Sequence, residues 1–193
     1  MSSVICLSGG VDSTVLAYHL KSKGHDLHAI VFDYGQTHAK EIIAAKEIAQ
    51  QLGIPSTVSN FGDLVGRGQD LLTGGAGSPV VANRNATMLT LAATYAVGIG
   101  CDSVFYSPTV EDFKLFPDCR PKFVEDFNSM LSSSNTPVKV FAPFIAMTKR
   151  EIVQLGKKYD VPFEKTWSCY VGGEKPCGEC LACKTRQEAF QCI

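Results

Sequence analysis

Short apolar runs alternate with amphipathic stretches along this chain, and the alternation predicts most of its elements. Val4-Ile5-Cys6-Leu7 is an apolar run closed by Ser8-Gly9-Gly10. Residues 13–23 then place Val15, Leu16, His19 and Leu20 on one helical face, so strand, tight turn and helix are expected in that order. The unit recurs, with a strand over 27–32 and a helix over 38–52 that Gly53 terminates. Residues 55–59 read as a weaker third strand. Residues 61–79 are glycine-rich and follow neither period, which predicts a long loop of the kind that is usually functional or disordered.

The second half continues the alternation. Asn85 is expected to cap a helix running to about residue 97, and 103–106 to form a fourth buried strand, followed by a polar loop over 111–120. Pro121 suits the first position of a helix reaching residue 132, residues 138–141 make a fifth strand, and Thr148 with Glu151 forms a capping box for a helix ending near Tyr159. This succession predicts an α/β fold: a Rossmann-like, doubly wound, parallel five-stranded sheet with ligands at the carboxyl ends of its strands. Residues 1–160 are expected to form that domain and 161–193 a C-terminal segment packed on it. No internal repeat or low-complexity tract interrupts the pattern.

Composition narrows the class. The 193 residues are 45% hydrophobic and 19% charged, ordinary for one globular domain and unlike a disordered or fibrous chain. A formal net charge of -1 supplies no global basic field, so a small substrate is expected rather than direct nucleic-acid binding. The N-terminus has no signal-peptide pattern, and the longest nearly uncharged stretch, 86–100, is too short and too rich in Gly, Ala and Thr for a membrane span. A cytoplasmic protein with no membrane partner is expected.

Two segments carry chemistry. Ser8-Gly9-Gly10-Val11-Asp12-Ser13 lies between the first strand and first helix, where glycines let the backbone wrap an anion and the helix N-terminus offers free N–H groups. It matches neither the Gly-Lys-Ser/Thr phosphate loop nor Gly-x-Gly-x-x-Gly, and a plain glycine turn is the bland alternative. Arg84 and Lys149 follow segments expected to end near the same edge, where each is either a phosphate partner or a solvated surface charge. Of eight cysteines, Cys169, Cys177, Cys180 and Cys183 crowd into fifteen positions with Gly172, Gly173 and Gly178 between them, which predicts a closed, structural Zn²⁺ site in a reducing compartment, free buried thiols or a redox pair being the bland alternative.

Ser-Gly-Gly-x-Asp-Ser after an N-terminal strand resembles the pyrophosphate loop of the ATP-pyrophosphatase superfamily. Three further segments narrow the resemblance to 7-cyano-7-deazaguanine synthases: Phe32-Asp33-Tyr34-Gly35-Gln36-Thr37-His38, Glu111-Asp112-Phe113 with Phe116-Pro117-Asp118-Cys119-Arg120, and Thr166-Trp167-Ser168-Cys169-Tyr170 leading into the cysteines. The resemblance implies that Leu7, Ser8, Gly9, Gly10, Val11, Asp12, Ser13, Thr14 and Arg84 bind ATP. Ser8, Asp12, Ser13 and Lys149 would serve catalysis, and Asp12 would orient the loop or a Mg²⁺. Asp118 and Arg120 would read the polar edges of the deazaguanine or hold its carboxylate. Phe113 or Phe116 would stack on the ring, core packing being the equal alternative. Tyr34, Gln36 and His38 read equally as helix-start and packing residues.

The implied reaction joins 7-carboxy-7-deazaguanine and ammonia through an adenylated carboxylate to an amide, and through an adenylated amide to a nitrile. A homodimer is implied by the family alone. The chain departs from the family at Val81-Ala82-Asn83-Arg84-Asn85, which stands where Val-Pro-Gly-Arg-Asn is usual. Asparagine is the next best residue for a left-handed backbone, so Asn83 is expected to replace the glycine. An enzyme stopping at the amide is the nearest alternative reading. A tRNA-thiolating relative using Cys101 or Cys119, and a non-catalytic nucleotide sensor, are more distant ones.

Overall fold

In the computed structural model the described residues are 2–36, 40–62, 83–171 and 173–191. His38 and all but the first two residues of the expected 61–79 loop lie outside them. Five strands form one parallel sheet in the order β3-β2-β1-β4-β5: β1 (Ser2–Cys6), β2 (Asp26–Asp33), β3 (Ser56–Asn60), β4 (Ser103–Phe105) and β5 (Lys139–Phe141). The order reverses at β1, so β1 and β4 open a crevice at their carboxyl ends, the switch point where such sheets bind ligands.

Because successive strand residues point to opposite faces, the sheet builds two cores. On one face Ile5, Leu7, Ala29, Val31 and Phe105 pack under α1 (Val11–Ser22), α2 (Lys40–Gln51), α5 (Lys149–Lys158) and α6 (Leu181–Gln191), whose contributions include Val15, Leu16, Ile48, Ile152, Val153 and Ala189. On the other, Val4, Ile30, Phe32, Val104 and Val140 meet Leu89, Ala92, Ala93 and Ala96 of α3 (Arg84–Gly98) and Phe127 and Leu131 of α4 (Pro121–Ser133). Small residues set the helix spacing on the first face. A Cβ on Gly156 of α5 would stand 2.5 Å from Phe163 Cζ and 2.7 Å from Val15 Cγ2, closer than real contacts allow.

Two local expectations need correcting. Asn85 does not cap α3; the cap position is Asn83, in the left-handed conformation expected of it (φ 57°, ψ 16°) and without a side-chain cap bond. Asp118 Oδ2 instead accepts from the Asn85 N–H at 3.3 Å, so an acceptor distant in sequence satisfies a first-turn donor. The polar stretch expected as loop contains two 3₁₀ turns, Val110–Lys114 and Pro117–Cys119, the first closed by a capping box in which Asp112 Oδ2 accepts from Thr109 N–H (2.9 Å) and Oγ1 (2.8 Å). The capping box expected at α5 is present: the Thr148 hydroxyl accepts from Glu151 N–H, and the Glu151 carboxylate accepts from Thr148 N–H at 2.8 Å.

Among the described residues no helix is long and apolar enough to cross a membrane. The chain beyond residue 161 lies against the first face. Arg186 of α6 donates to Phe163 O and Thr166 Oγ1, each at 2.7 Å, and Phe190 meets Phe163 edge-on at 5.0 Å.

Candidate active site

The segment from Ser8 to Thr14 leaves the carboxyl end of β1 and turns into α1. Gly9 adopts φ +79°, open to glycine at no steric cost, and a Cβ there would press into the carbonyl oxygen of Glu41 and stand 2.7 Å from Ala45 N. The turn is therefore clamped against α2. Its hydroxyls are tied inside it: Ser13 Oγ accepts from Ser8 N–H at 3.2 Å and lies 2.9 Å from Ser8 Oγ, while Thr14 Oγ1 donates to Gly10 O at 2.7 Å. Ser13 and Thr14 are buried, as are Leu7 and Val11, whereas Ser8 is exposed. Of the three hydroxyls, that of Ser8 belongs to the one exposed residue.

Asp12, in the first turn of α1, has its carboxylate Oδ2 2.6 Å from Lys149 Nζ. Lys149 opens α5, and its backbone N–H donates to Glu111 Oε1 at 3.0 Å. Burial works to lower the Lys149 pKa, but the attraction of Asp12, Asp112 and Glu111 outweighs it and the ammonium is held above the ordinary lysine value. Asp12 is raised by burial, with Lys149 opposing and Asp112 and Glu111 adding to it. Asp12 Oδ1 is buried with no hydrogen-bond partner among the described residues. One ammonium thus faces three carboxyl groups, with one buried carboxylate oxygen left open, an arrangement suited to a further cation.

Across the crevice Arg84 begins α3, its guanidinium carbon 5.9 Å from the ring centroids of both Tyr34 and Phe116. Tyr170 shares this neighbourhood. Its hydroxyl is raised first by burial, although the residue as a whole is 41% exposed; Lys149 and Arg84 pull it down and Asp112 and Glu41 push it up. Asp118 and Phe113 are half-buried beside this region, Asp118 through its bond to α3. Arg120 is exposed, and its Nε donates to Phe113 O at 3.0 Å, a use inside its own loop. Gln36 closes the turn after β2, accepting from Tyr34 N–H at 2.9 Å and donating to Phe32 O at 3.1 Å.

The Sγ atoms of Cys169, Cys177, Cys180 and Cys183 all lie within 4.8 Å of one another, and those of Cys177 and Cys183 are 3.9 Å apart. Four thiolates around one Zn²⁺ at about 2.3 Å would stand about 3.8 Å apart, so the set fits a single tetrahedral ion. An iron–sulfur cubane, held at its separate iron corners, needs a wider set. Cys177 N–H (3.3 Å) and Val171 N–H (3.4 Å) donate to Cys169 Sγ. N–H donors of Cys180 and Glu179 lower the Cys177 thiol to about 6, whereas burial lifts Cys183 to about 12, which the charge of a bound divalent ion would reverse. The knot touches the Ser8–Thr14 loop through Trp167, whose N–H donates to Gly9 O and whose indole N–H donates to Cys169 O, each at 2.9 Å.

The sequence profile described as "Queuosine biosynthesis protein QueC" matches residues 2–193. The chain belongs to the QueC family. The 7-cyano-7-deazaguanine synthase of Archaeoglobus fulgidus is 42% identical over 207 residues, covering 98% of this chain and 86% of that protein. That of Caldicellulosiruptor saccharolyticus is 37% identical, covering 100% and 92%. Among solved structures, a U34-tRNA thiolase from Methanococcus maripaludis with its [4Fe-4S] cluster gives a TM-score of 0.63 at 20% identity, over 98% of this chain and 64% of that one. NMN synthetase from Francisella tularensis gives 0.61 at 16%, over 92% and 70%. At these identities the structures establish a shared fold.

In this QueC chain the expected loop residues, Lys149 and the four cysteines each converge as groups, and Arg84, Phe116 and Asp118 line the opposite wall. Sequence reasoning left Tyr34 and Tyr170 without a role in the site, and did not single out Glu111 and Asp112 as partners of Lys149. All four stand inside the matched motifs, which was the available signal.

Proposed function

We propose that this chain is a 7-cyano-7-deazaguanine synthase, turning 7-carboxy-7-deazaguanine and ammonia into the nitrile with two ATP converted to AMP and pyrophosphate. The observation that carries the reading is the Ser8–Thr14 loop set beside the Asp12–Lys149 pair at the sheet's switch point. A carboxylate is a poor electrophile until one oxygen becomes a good leaving group. Its oxygen attacks the α-phosphorus of ATP and pyrophosphate departs; ammonia adds to the acyl carbon, AMP leaves, and a proton is lost to give the amide. The amide oxygen then attacks the α-phosphorus of a second ATP and pyrophosphate departs, and loss of AMP and of both amide protons leaves the nitrile.

Both phosphoryl steps need charge neutralised on the leaving pyrophosphate. The N–H groups at the start of α1, the Ser8 hydroxyl and the Lys149 ammonium would supply this, with Leu7, Gly9, Gly10, Val11, Ser13 and Thr14 fixing the loop's shape. Mg²⁺ would be held through Asp12 Oδ1 and would screen the phosphates from the surplus of carboxylates. Arg84 is assigned to nucleotide phosphate, Phe116 or Phe113 to stacking on the deazaguanine, and Asp118 and Arg120 to its polar edges. Zn²⁺ in the four-cysteine knot would be structural.

Asn83 keeps the left-handed turn of the family motif, which supports the complete reaction over a halt at the amide. Burial pushes the Cys119 thiol up to about 12 and Cys101 is buried, which counts against a thiol-based transfer. The test is mass spectrometry of the products from ATP, Mg²⁺, ammonium and 7-carboxy-7-deazaguanine, with AMP counted. A nitrile with two AMP is expected; an amide with one AMP would mark a half-reaction, and no AMP would refute the reading.

A further inference from the structure

The side chain of Tyr106, the residue after β4, belongs to the same sheet face as Val4, Cys6, Phe32 and Tyr34. It is 8% exposed, and its hydroxyl is buried with no hydrogen-bond partner among the described residues. An unpaired buried hydroxyl costs on the order of 1–3 kcal/mol, and native proteins seldom retain one without a reason. Tyr106 stands at the carboxyl end of β4, beside the switch point of the sheet, and the Pro117–Cys119 turn meets the start of α3 through the bond of Asn85 N–H to Asp118.

We infer that Tyr106 is a specificity-determining residue whose hydroxyl donates to the ring carbonyl of the deazaguanine while Asp118 takes the neighbouring ring N–H and amino group. The inference rests on the reading of this site as a 7-cyano-7-deazaguanine synthase. The chemistry of the pair selects the ligand class. A lactam edge presents one acceptor beside two donors; a neutral phenol supplies the one donor, and a carboxylate supplies acceptors only. Asp118 Oδ2 already receives the Asn85 N–H, but a carboxylate has about four lone-pair directions, so capacity remains. Burial and nearby acidic groups hold the phenol protonated, so that it remains a donor across the working pH range. The same hydroxyl would lose its penalty when substrate arrives and would discriminate against a base that carries an amino group in place of the carbonyl.

The test is Tyr106→Phe, assayed by AMP release. Removing an unpaired hydroxyl leaves the free protein's Tm unchanged or higher. The KM for 7-carboxy-7-deazaguanine is expected to rise roughly 5- to 10-fold, the loss of one hydrogen bond, while the KM for ATP stays the same. A second measurement uses the 6-amino analogue of the substrate, which lacks both the carbonyl and the adjacent ring N–H: wild type should reject it relative to the 6-oxo compound, and the variant should lose the share of that preference set at the carbonyl, the share set by Asp118 at the ring N–H remaining. An unchanged substrate KM, an equal rise in both KM values, or a preference kept in full by the variant would overturn the inference while leaving the synthase reading intact. Absence of AMP from the wild type with the natural substrate would refute both.

Discussion

Between Leu7 and Thr14 the chain is held by contacts that exist without any ligand: Gly9 wedged on α2, hydroxyls bonded within the turn, and buried apolar residues at both ends. Among the described residues between Cys169 and Cys183 there is no apolar core of that kind. Gly173 to Pro176 are exposed, and what draws the backbone together is a set of sulfur atoms within 4.8 Å of each other. The first segment gains its shape from the sheet, while the second is built so that a bound metal would repay the ordering of its loop. The two regions are nevertheless linked through Trp167, whose N–H donates to Gly9 O and whose indole N–H donates to Cys169 O. The contrast teaches that a loop shaped by the sheet can be coupled to one suited to a metal when a single residue, here Trp167, bonds to both.

The strongest way to break the comparison is to remove one sulfur. Cys177→Ser should drop the zinc content of the purified chain well below one ion and lower the Tm by more than about 5 °C, since metal binding and folding of such a knot are one free energy. ATP affinity should fall with it, through the Trp167 bond to Gly9. Trp167 is the only tryptophan, so its fluorescence reports both events. Intact ATP binding in a zinc-free variant would show the two regions to be independent.

Substitution within the loop attacks the other side. Gly9→Ala places a methyl group against backbone atoms of α2 that cannot rotate away, and does so at φ +79°. A loss of about 2–4 kcal/mol is expected in denaturant unfolding, with zinc content unchanged. An unaltered midpoint would mean that the loop is less tightly packed than its contacts imply.

Lys149→Met tests charge rather than shape. Removing the ammonium leaves Asp12 facing Asp112 and Glu111 alone, and kcat/KM should fall about 10²- to 10³-fold, the usual effect of losing one charge-stabilising group. Because both partners are about one-fifth exposed, the stability change should be only about 1 kcal/mol. The pH dependence has a definite sign. Lys149 titrates above its ordinary value in the folded chain, so its stabilisation is complete below pH 10.5 and is lost as pH rises through the folded value. The wild type should lose that increment on the alkaline limb, and the variant should show no such loss.

Several of these features were legible in the sequence because they are local. The apolar run Val4–Leu7 followed by small residues fixed β1, the loop and α1, and Thr148 with Glu151 marked the start of α5 within one residue. Asn83 in a left-handed turn followed from what its side chain tolerates. The pairing of Asp12 with Lys149 spans 137 positions, and no periodicity encodes such a distance. The two 3₁₀ turns before α4 are too short to show a period, and Asp118, read only as a substrate ligand, also supplies the acceptor at the start of α3. Asn85 was mistaken for a cap because its residue type suits one, whereas the backbone had already turned at Asn83.

A smaller effect tests that turn directly. Asn83→Ala forces a Cβ-bearing residue without a compensating amide into the left-handed region, at about 1 kcal/mol, while Asn83→Gly should be neutral or slightly stabilising. If both variants unfold at the wild-type midpoint, the conformation at this position carries no strain, and the replacement of the family's glycine has no energetic consequence.

The smallest expected effect concerns thiols outside the knot. Burial holds both Cys6 and Cys119 at about 12, with Asp112 and Asp118 adding to the rise at Cys119 and Arg84 opposing it. At pH 8 Cys119 is thus held as the thiol, and the thiolate is the nucleophile. Brief iodoacetamide treatment of the zinc-loaded protein should therefore leave AMP release unchanged, with Cys119 unmodified by peptide mass spectrometry. Loss of activity in step with labelling of Cys119 would mean that this buried thiol opens during turnover. It would also mean that the division between a metal-held set of sulfurs and inert core cysteines does not hold in the working enzyme.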